Sequence, residues 1–281
     1  MHSMTRKLFR VAIVAVAAAG TACSDSTGGD ARVTVQLADA PADVFASAVV
    51  DIGRIELLQN GGPAVVLTED GGTHDLLDLQ NGVTAELASL DIEAGRYHQL
   101  RLIVTSATVT LASGLTFTDG STSRALTIPS GAQTGIKINL NDGGNAGVEI
   151  VDGETILVVD FDVSQNFVVQ GNAGTPAGIT GILFTPLVRA AVRNIAGSIA
   201  GTVTAGGSPL AGATVRAVLD EPGTMEALET GEATAVTDAE GEYKIWFLAP
   251  GTYTVSVDGR TGTQSVTVDE SQSVTGINFT F

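Results

Sequence analysis

Three features of the sequence predict an all-β chain: two Greek-key-type antiparallel β-sandwich domains in tandem, behind an N-terminal leader. Helical periodicity is nearly absent. In its place stand short β-branched runs with apolar residues at every second position, the pattern of strands that turn one face to a core. Between the runs lie clusters of Gly, Asn, Asp and Pro, which turn a chain because of their backbone geometry. A length of 281 residues suits one large or two ordinary domains.

The elements follow in order. Val33, Val35 and Leu37 alternate with Thr34 and Gln36, a first strand. Over residues 48–57 the apolar parity changes between Ile52 and Ile55, which predicts a bulge or break at Gly53. Leu100, Leu102 and Val104 alternate with Gln99, Arg101 and Ile103. Ile136, Ile138 and Leu140 alternate with Lys137 and Asn139, and Asn141, Asp142, Gly143 and Gly144 then read as a turn. A boundary near Asn194 divides the chain into domains at 31–194 and 195–281. Residues 222–230 are the place for a helical turn within a loop. In the second domain Tyr243, Ile245 and Phe247 share one strand face, which puts Lys244 and Trp246 on the other.

The leader has its own logic. Residues 5–10 are basic, residues 11–19 are wholly apolar, and Gly20, Thr21 and Ala22 are small. That order is a secretion signal, and its apolar run is far shorter than the ~20 residues that span a bilayer. Cys23, the only cysteine, follows at once. This junction resembles the lipobox of bacterial lipoproteins, although Gly20 stands where that family usually has Leu. The resemblance implies a lipoprotein signal peptide over 1–22 and acylation of Cys23. Ordinary cleavage at the same bond is the alternative, and it would leave a free thiol in an oxidising compartment. Each buried methylene of an acyl chain contributes about 0.8 kcal/mol to membrane attachment. Residues 23–30 read as a flexible tether. Ser24 after the cysteine favours the outer over the inner membrane under the enterobacterial sorting rule.

Charge narrows the partners. Residues 1–22 hold three of the 14 basic side chains and none of the 31 acidic ones, so 11 bases face 31 acids in the remainder. Nucleic acids and anionic headgroups need a basic footprint, so neither is a partner by charge. The lipid is what ties the protein to its membrane. Abundant Val, Ile and Leu still allow real cores.

Two resemblances cover most of the chain. The strings Gly-Thr-Val (201–203), Pro-Leu-Ala-Gly-Ala-Thr-Val (209–215), Thr-Asp-Ala-Glu-Gly-Glu-Tyr (237–243) and Leu-Ala-Pro-Gly-Thr-Tyr (248–253) resemble the carboxypeptidase regulatory-like domain, which implies a transthyretin-like sandwich over 195–281. Residues 31–193 are similar to a family of bacterial envelope lipoproteins known only as a domain of unknown function. That similarity runs through Val-Gln-Leu-Ala-Asp-Ala-Pro (35–41), His-Asp-Leu-Leu-Asp-Leu (74–79), Ile-Glu-Ala-Gly-Arg-Tyr (92–97), Leu-Thr-Ile-Pro-Ser-Gly (126–131), Ile-Lys-Ile (136–138), Val-Asp-Phe-Asp (159–162) and Leu-Phe-Thr-Pro-Leu-Val (183–188). It implies fold class and envelope location, and no activity.

Few residues offer chemistry. Tyr97 and Tyr253 each follow the spacing apolar-x-Ala/Pro-Gly-x-Tyr, which resembles a tyrosine corner and makes both structural. No nucleophile elbow or phosphate loop is present. His74 and His98 lack a metal-binding spacing and read as surface residues near turns. Asp160 and Asp162 alternate with apolar residues on a strand, two acids on one face about 7 Å apart. That separation suits a calcium site or a glycosidase pair, against the plainer reading of a solvated face. Trp246, the sole tryptophan, is the one candidate ligand contact, against packing between domains. No cofactor is implied beyond calcium. The expected function is that of a non-catalytic, exported, lipid-anchored cell-envelope protein that binds a glycan or an envelope protein. A structural spacer or an accessory subunit of an envelope complex is the alternative, and a glycoside hydrolase comes last.

Overall fold

The computed structural model describes residues 31–39, 44–128, 134–140, 147–175, 177–220 and 232–281. The leader, Cys23, the tether, the turn at 141–144 and the loop at 222–230 lie outside them. The chain is all-β in two domains. Its elements are almost all strands, with a 3₁₀ turn at Leu76–Leu79 and a short helix at Val163–Asn166.

Two hydrophobic cores form. The first draws on residues from Ala31 to Val192, the second on residues from Ile199 to Phe279. In the first, one sheet runs in the order Arg189–Val192, Gly153–Asp160, Ala31–Ala38, Ala85–Ile92. Ala31–Ala38 is antiparallel to Ala85–Ile92 but parallel to Gly153–Asp160, so this sheet is mixed. The other is built on the long pair Phe45–Leu58 and Gln99–Leu111, with Ala64–Thr68 and Ser123–Ala125 outside them. Val33, Val35 and Leu37 from one sheet and Leu100, Leu102 and Val104 from the other are buried in the same core. Each such side chain contributes roughly 1.5–3 kcal/mol through removal from water.

The parity change at Gly53 has a structural counterpart. Ile52 pairs with Val104 and Arg54 with Ile103, which leaves Gly53 as an extra residue. Thr105 is left over on the partner strand in the same way, since Asp51 pairs with Ser106. A Cβ on Gly53 would come within 2.8 Å of Thr105 Cγ2, so glycine lets the two bulges lie against each other.

In the second domain, Gly197–Ala205 pairs with Glu242–Leu248, while Glu232–Val236, Thr214–Leu219, Gly251–Val257 and Thr263–Val268 form the opposing sheet. Tyr97 and Tyr253 occupy equivalent local geometries in the two domains. The Tyr97 hydroxyl donates to the Glu93 carbonyl at 2.9 Å and the Tyr253 hydroxyl to the Ala249 carbonyl at 2.8 Å. In each case the acceptor lies four residues upstream, and both rings are buried. Burial pushes the Tyr253 phenol up to about 12, so it is a donor at any physiological pH.

Candidate functional site

The site lies where the two domains meet. The strand Gly153–Asp160 ends at Asp160, and Asp162 then takes a left-handed backbone (φ 35°) before the helix Val163–Asn166. Phe161 and Val163 remain in the core. Asp39 accepts from the Val163 backbone N–H at 2.8 Å, which satisfies a donor at the helix start. Asn166, fully buried, donates to the Asp162 carbonyl at 2.9 Å and the Leu187 carbonyl at 3.0 Å. These bonds fold the segment back on itself.

The alternating pattern had placed Asp160 and Asp162 together on a solvated strand face, and the structure corrects this. They do not share a strand, because the left-handed turn at Asp162 breaks the alternation. Both are buried, at 6 % and 5 % exposure. Asp160 is paired with the Arg189 guanidinium. Asp162 accepts from Ser164 Oγ at 2.6 Å and from Thr234 Oγ1 of the second domain at 2.6 Å. Burial raises the Asp162 carboxyl above the usual range, and the charge of Asp160 adds to the rise. Asp160 Oδ2 is engaged by the Arg189 guanidinium and its Oδ1 accepts from the Asp162 backbone N–H at 3.3 Å. Among the described residues no group of three or more His, Cys, Asp and Glu side chains is arranged to hold a metal ion.

Arg189 joins the domains. It lies on the last strand of the first domain, Arg189–Val192. Its Nη1 donates to the Phe247 carbonyl at 2.7 Å and its Nη2 to the Trp246 carbonyl at 3.0 Å, while Nη2 also reaches Asp160. Gln165 donates to Glu232 across the same boundary. Glu232 in turn pairs with Arg216, which also holds Asp258 at 2.8 Å.

Two successive carbonyls can meet one guanidinium because the strand is bulged there. Ile245 pairs with Ile199 and Leu248 with Gly197, so Trp246 and Phe247 together oppose Ser198. Phe247 has φ 53°, a strained conformation for a bulky side chain. Tyr243 and Ile245 are buried as alternation predicts, but Leu248 fills the next core position in place of Phe247. The bulge thus turns Phe247 out of the core and leaves Trp246 and Phe247 side by side, with ring centroids 6.3 Å apart.

Trp246 is half-buried at the junction. Lys244 Nζ sits 3.5 Å from its ring centroid, a cation–π contact. Against the ring packs Gly82, in a turn whose central residues Asn81 and Gly82 have φ of 58° and 82°. Trp246 and Phe247 line two spaces. One is a cavity of about 20 Å³ among Asp39, Asp160, Arg189, Thr234 and Lys244, large enough for one water. The other is an open groove of about 200 Å³ shared with Gly82, Arg193, Ser198 and Ser273.

The histidines take no part in this site: His74 Nε2 bonds the Gly71 carbonyl at 2.7 Å and His98 Nε2 lies 3.0 Å from Asn60 Nδ2. Sequence reasoning reached Asp160, Asp162 and Trp246 but missed Arg189, Thr234, Phe247 and Arg193. The Asn81–Gly82 dipeptide was a readable turn signal. The carbonyl partners of Arg189 lie 57 and 58 residues away and its carboxylate partner 29, and no local pattern reports them.

Residues 30–175 match the family model described as Domain of unknown function (DUF4382), and residues 198–281 match the Carboxypeptidase regulatory-like domain. The chain belongs to the first of these families, whose model spans more than half of it. No curated protein matches. Among solved structures the chain is similar to the Bacillus anthracis TIE protein, at 13 % identity and TM-score 0.21 over 90 % of this chain and 33 % of that one; it thus spans about a third of that protein. It is also similar to GBS52, the minor pilin of Streptococcus agalactiae, at 10 % identity and TM-score 0.24 over 88 % and 94 %. A third is the Bacillus cereus major pilin subunit BcpA*(D312A), at 12 % identity and TM-score 0.24 over 89 % and 99 %.

Proposed function

We propose that this is a non-catalytic, lipid-anchored module of the bacterial cell envelope, tethered through Cys23 at the outer membrane, that binds a glycan or an envelope protein with its two sandwiches held as one rigid body. The observation that carries the reading is the Arg189 bridge. A partly buried guanidinium whose Nη1 and Nη2 are engaged by one carboxylate of its own domain and two carbonyls of the other fixes relative orientation, since any swing leaves those buried groups unpaired. The carboxylates weighed for hydrolysis, Asp160 and Asp162, are engaged with Arg189, Ser164 and Thr234, which supports a structural role for both.

The packing of Trp246 on Gly82 favours a second reading, in which the protein is a rigid structural spacer of the envelope. A glycan array probed with the full-length protein, with calcium and again after chelation, separates the two. Specific binding supports the receptor, and binding lost on chelation adds a metal site. No binding in either condition sinks the glycan receptor and leaves the envelope-protein binder and the spacer.

A further inference from the structure

We propose that the groove beside Trp246 binds a carboxylate-bearing sugar, a uronate unit of an acidic glycan. The inference rests on the receptor reading above and narrows it to one ligand class and one site.

Three observations converge on this groove. The first is the aromatic pair. Alternation would send Trp246 and Phe247 to opposite faces, and the bulge opposite Ser198 brings both to one wall. The strain of Phe247 at φ 53° is sustained by the Arg189 bonds to both carbonyls. Bulges that re-aim side chains, and bulky residues held at positive φ, concentrate at functional sites. The two rings, tilted by 38°, give the wall an apolar border for the C–H groups of a pyranose, while the faces of Trp246 are taken by Lys244 and Gly82.

The second is charge. The chain is strongly acidic, and most of its described arginines are matched by a carboxylate, Arg32 by Asp91 and Arg216 by Asp258 among them. Arg193, on the wall of the groove, is exposed and donates to neutral acceptors, Gln36 and Thr84. It forms no ion pair among the described residues. An acidic ligand repelled by the rest of the surface meets its counter-charge here, and a guanidinium suits a carboxylate because its N–H groups can donate in parallel.

The third is the hydroxyl pair. Ser198 Oγ and Ser273 Oγ lie 3.0 Å apart on the groove wall, and each hydroxyl both donates and accepts, which matches the hydroxyls of a sugar ring. The volume of about 200 Å³ holds one ring, and the open form lets a polymer pass through.

Trp246 is the sole tryptophan, so all of the tryptophan emission comes from a residue on the groove wall. Full-length protein in detergent micelles is titrated with oligogalacturonate and with its methyl ester, followed by tryptophan fluorescence and by calorimetry. The expected result is saturable binding of the acid, none of the ester, and about ten-fold or more weaker binding of the acid by Arg193→Gln, the loss of one charge-assisted contact. Arg193 is exposed, so that variant keeps the fold. Absence of both heat and emission change with the acid, equal binding of the ester, or wild-type affinity in Arg193→Gln would overturn the inference. A neutral glycan bound on the array, with no response to oligogalacturonate, overturns it too while the receptor reading stands.

Discussion

Arg189 of the first sandwich donates to the carbonyl of Phe247 in the second at 2.7 Å. That bond exists because Phe247 is the strained member of a bulge and because Asp160, one strand over, fixes the other side of the guanidinium. Junction, bulge and buried acid therefore form one arrangement, and its parts can be perturbed separately.

Arg189→Ala leaves the Asp160 charge and two carbonyls without their donor. Breaking a buried pair from one side costs about 3 kcal/mol. The double variant Arg189→Ala/Asp160→Asn recovers part of that loss, because the unpaired charge is gone. Urea unfolding monitored in both domains measures each value, and equal midpoints for the two variants would contradict the pairing.

Asp162 makes stability depend on pH. Its folded carboxyl lies above the unfolded value, because burial disfavours the charged form. The stabilisation is therefore complete below the unfolded value of about 4 and is lost as pH rises through the raised folded value. Asp162→Asn removes this dependence and flattens the urea midpoint against pH from about pH 4 upward. An unchanged slope would mean that Asp162 does not titrate as described.

Tyr97→Phe and Tyr253→Phe each delete one buried hydrogen bond to the carbonyl four residues upstream. Each substitution costs about 1 kcal/mol and leaves the strand content unchanged by circular dichroism. A neutral effect at either position would remove its corner from the structural account.

Gly82→Ala tests the seat of Trp246. The new Cβ would lie 3.3 Å from ring atoms, at a residue with φ 82°. Backbone strain alone destabilises by more than about 1 kcal/mol, and displacement of the ring shifts the only tryptophan emission in the chain. Wild-type emission and stability together would place the ring elsewhere.

The sequence exposed the faces of strands and concealed their partners. Ile136, Ile138 and Leu140 are buried as their spacing predicts, and Gly53 is the extra residue that its parity break signals. Such features are local, because a strand writes its two faces into every second residue. Trp246 and Phe247 defeated the same rule, since a bulge adds a residue without an apolar marker of its own. Asp160 and Asp162 defeated it differently. Charge normally reports solvent, and here each acid is buried against a donor brought from elsewhere, Arg189 or Thr234. Pairings of that range are set by tertiary packing, so nothing in the sequence around Arg189 marks it.

The central claim is that the two sandwiches form one rigid body through Arg189. Residual dipolar couplings of the full-length chain, carrying Cys23→Ala to keep it free of lipid, test this directly. The account predicts one alignment tensor for residues of both domains, and two separate tensors in Arg189→Ala. Two tensors in the chain with Arg189 intact would contradict it.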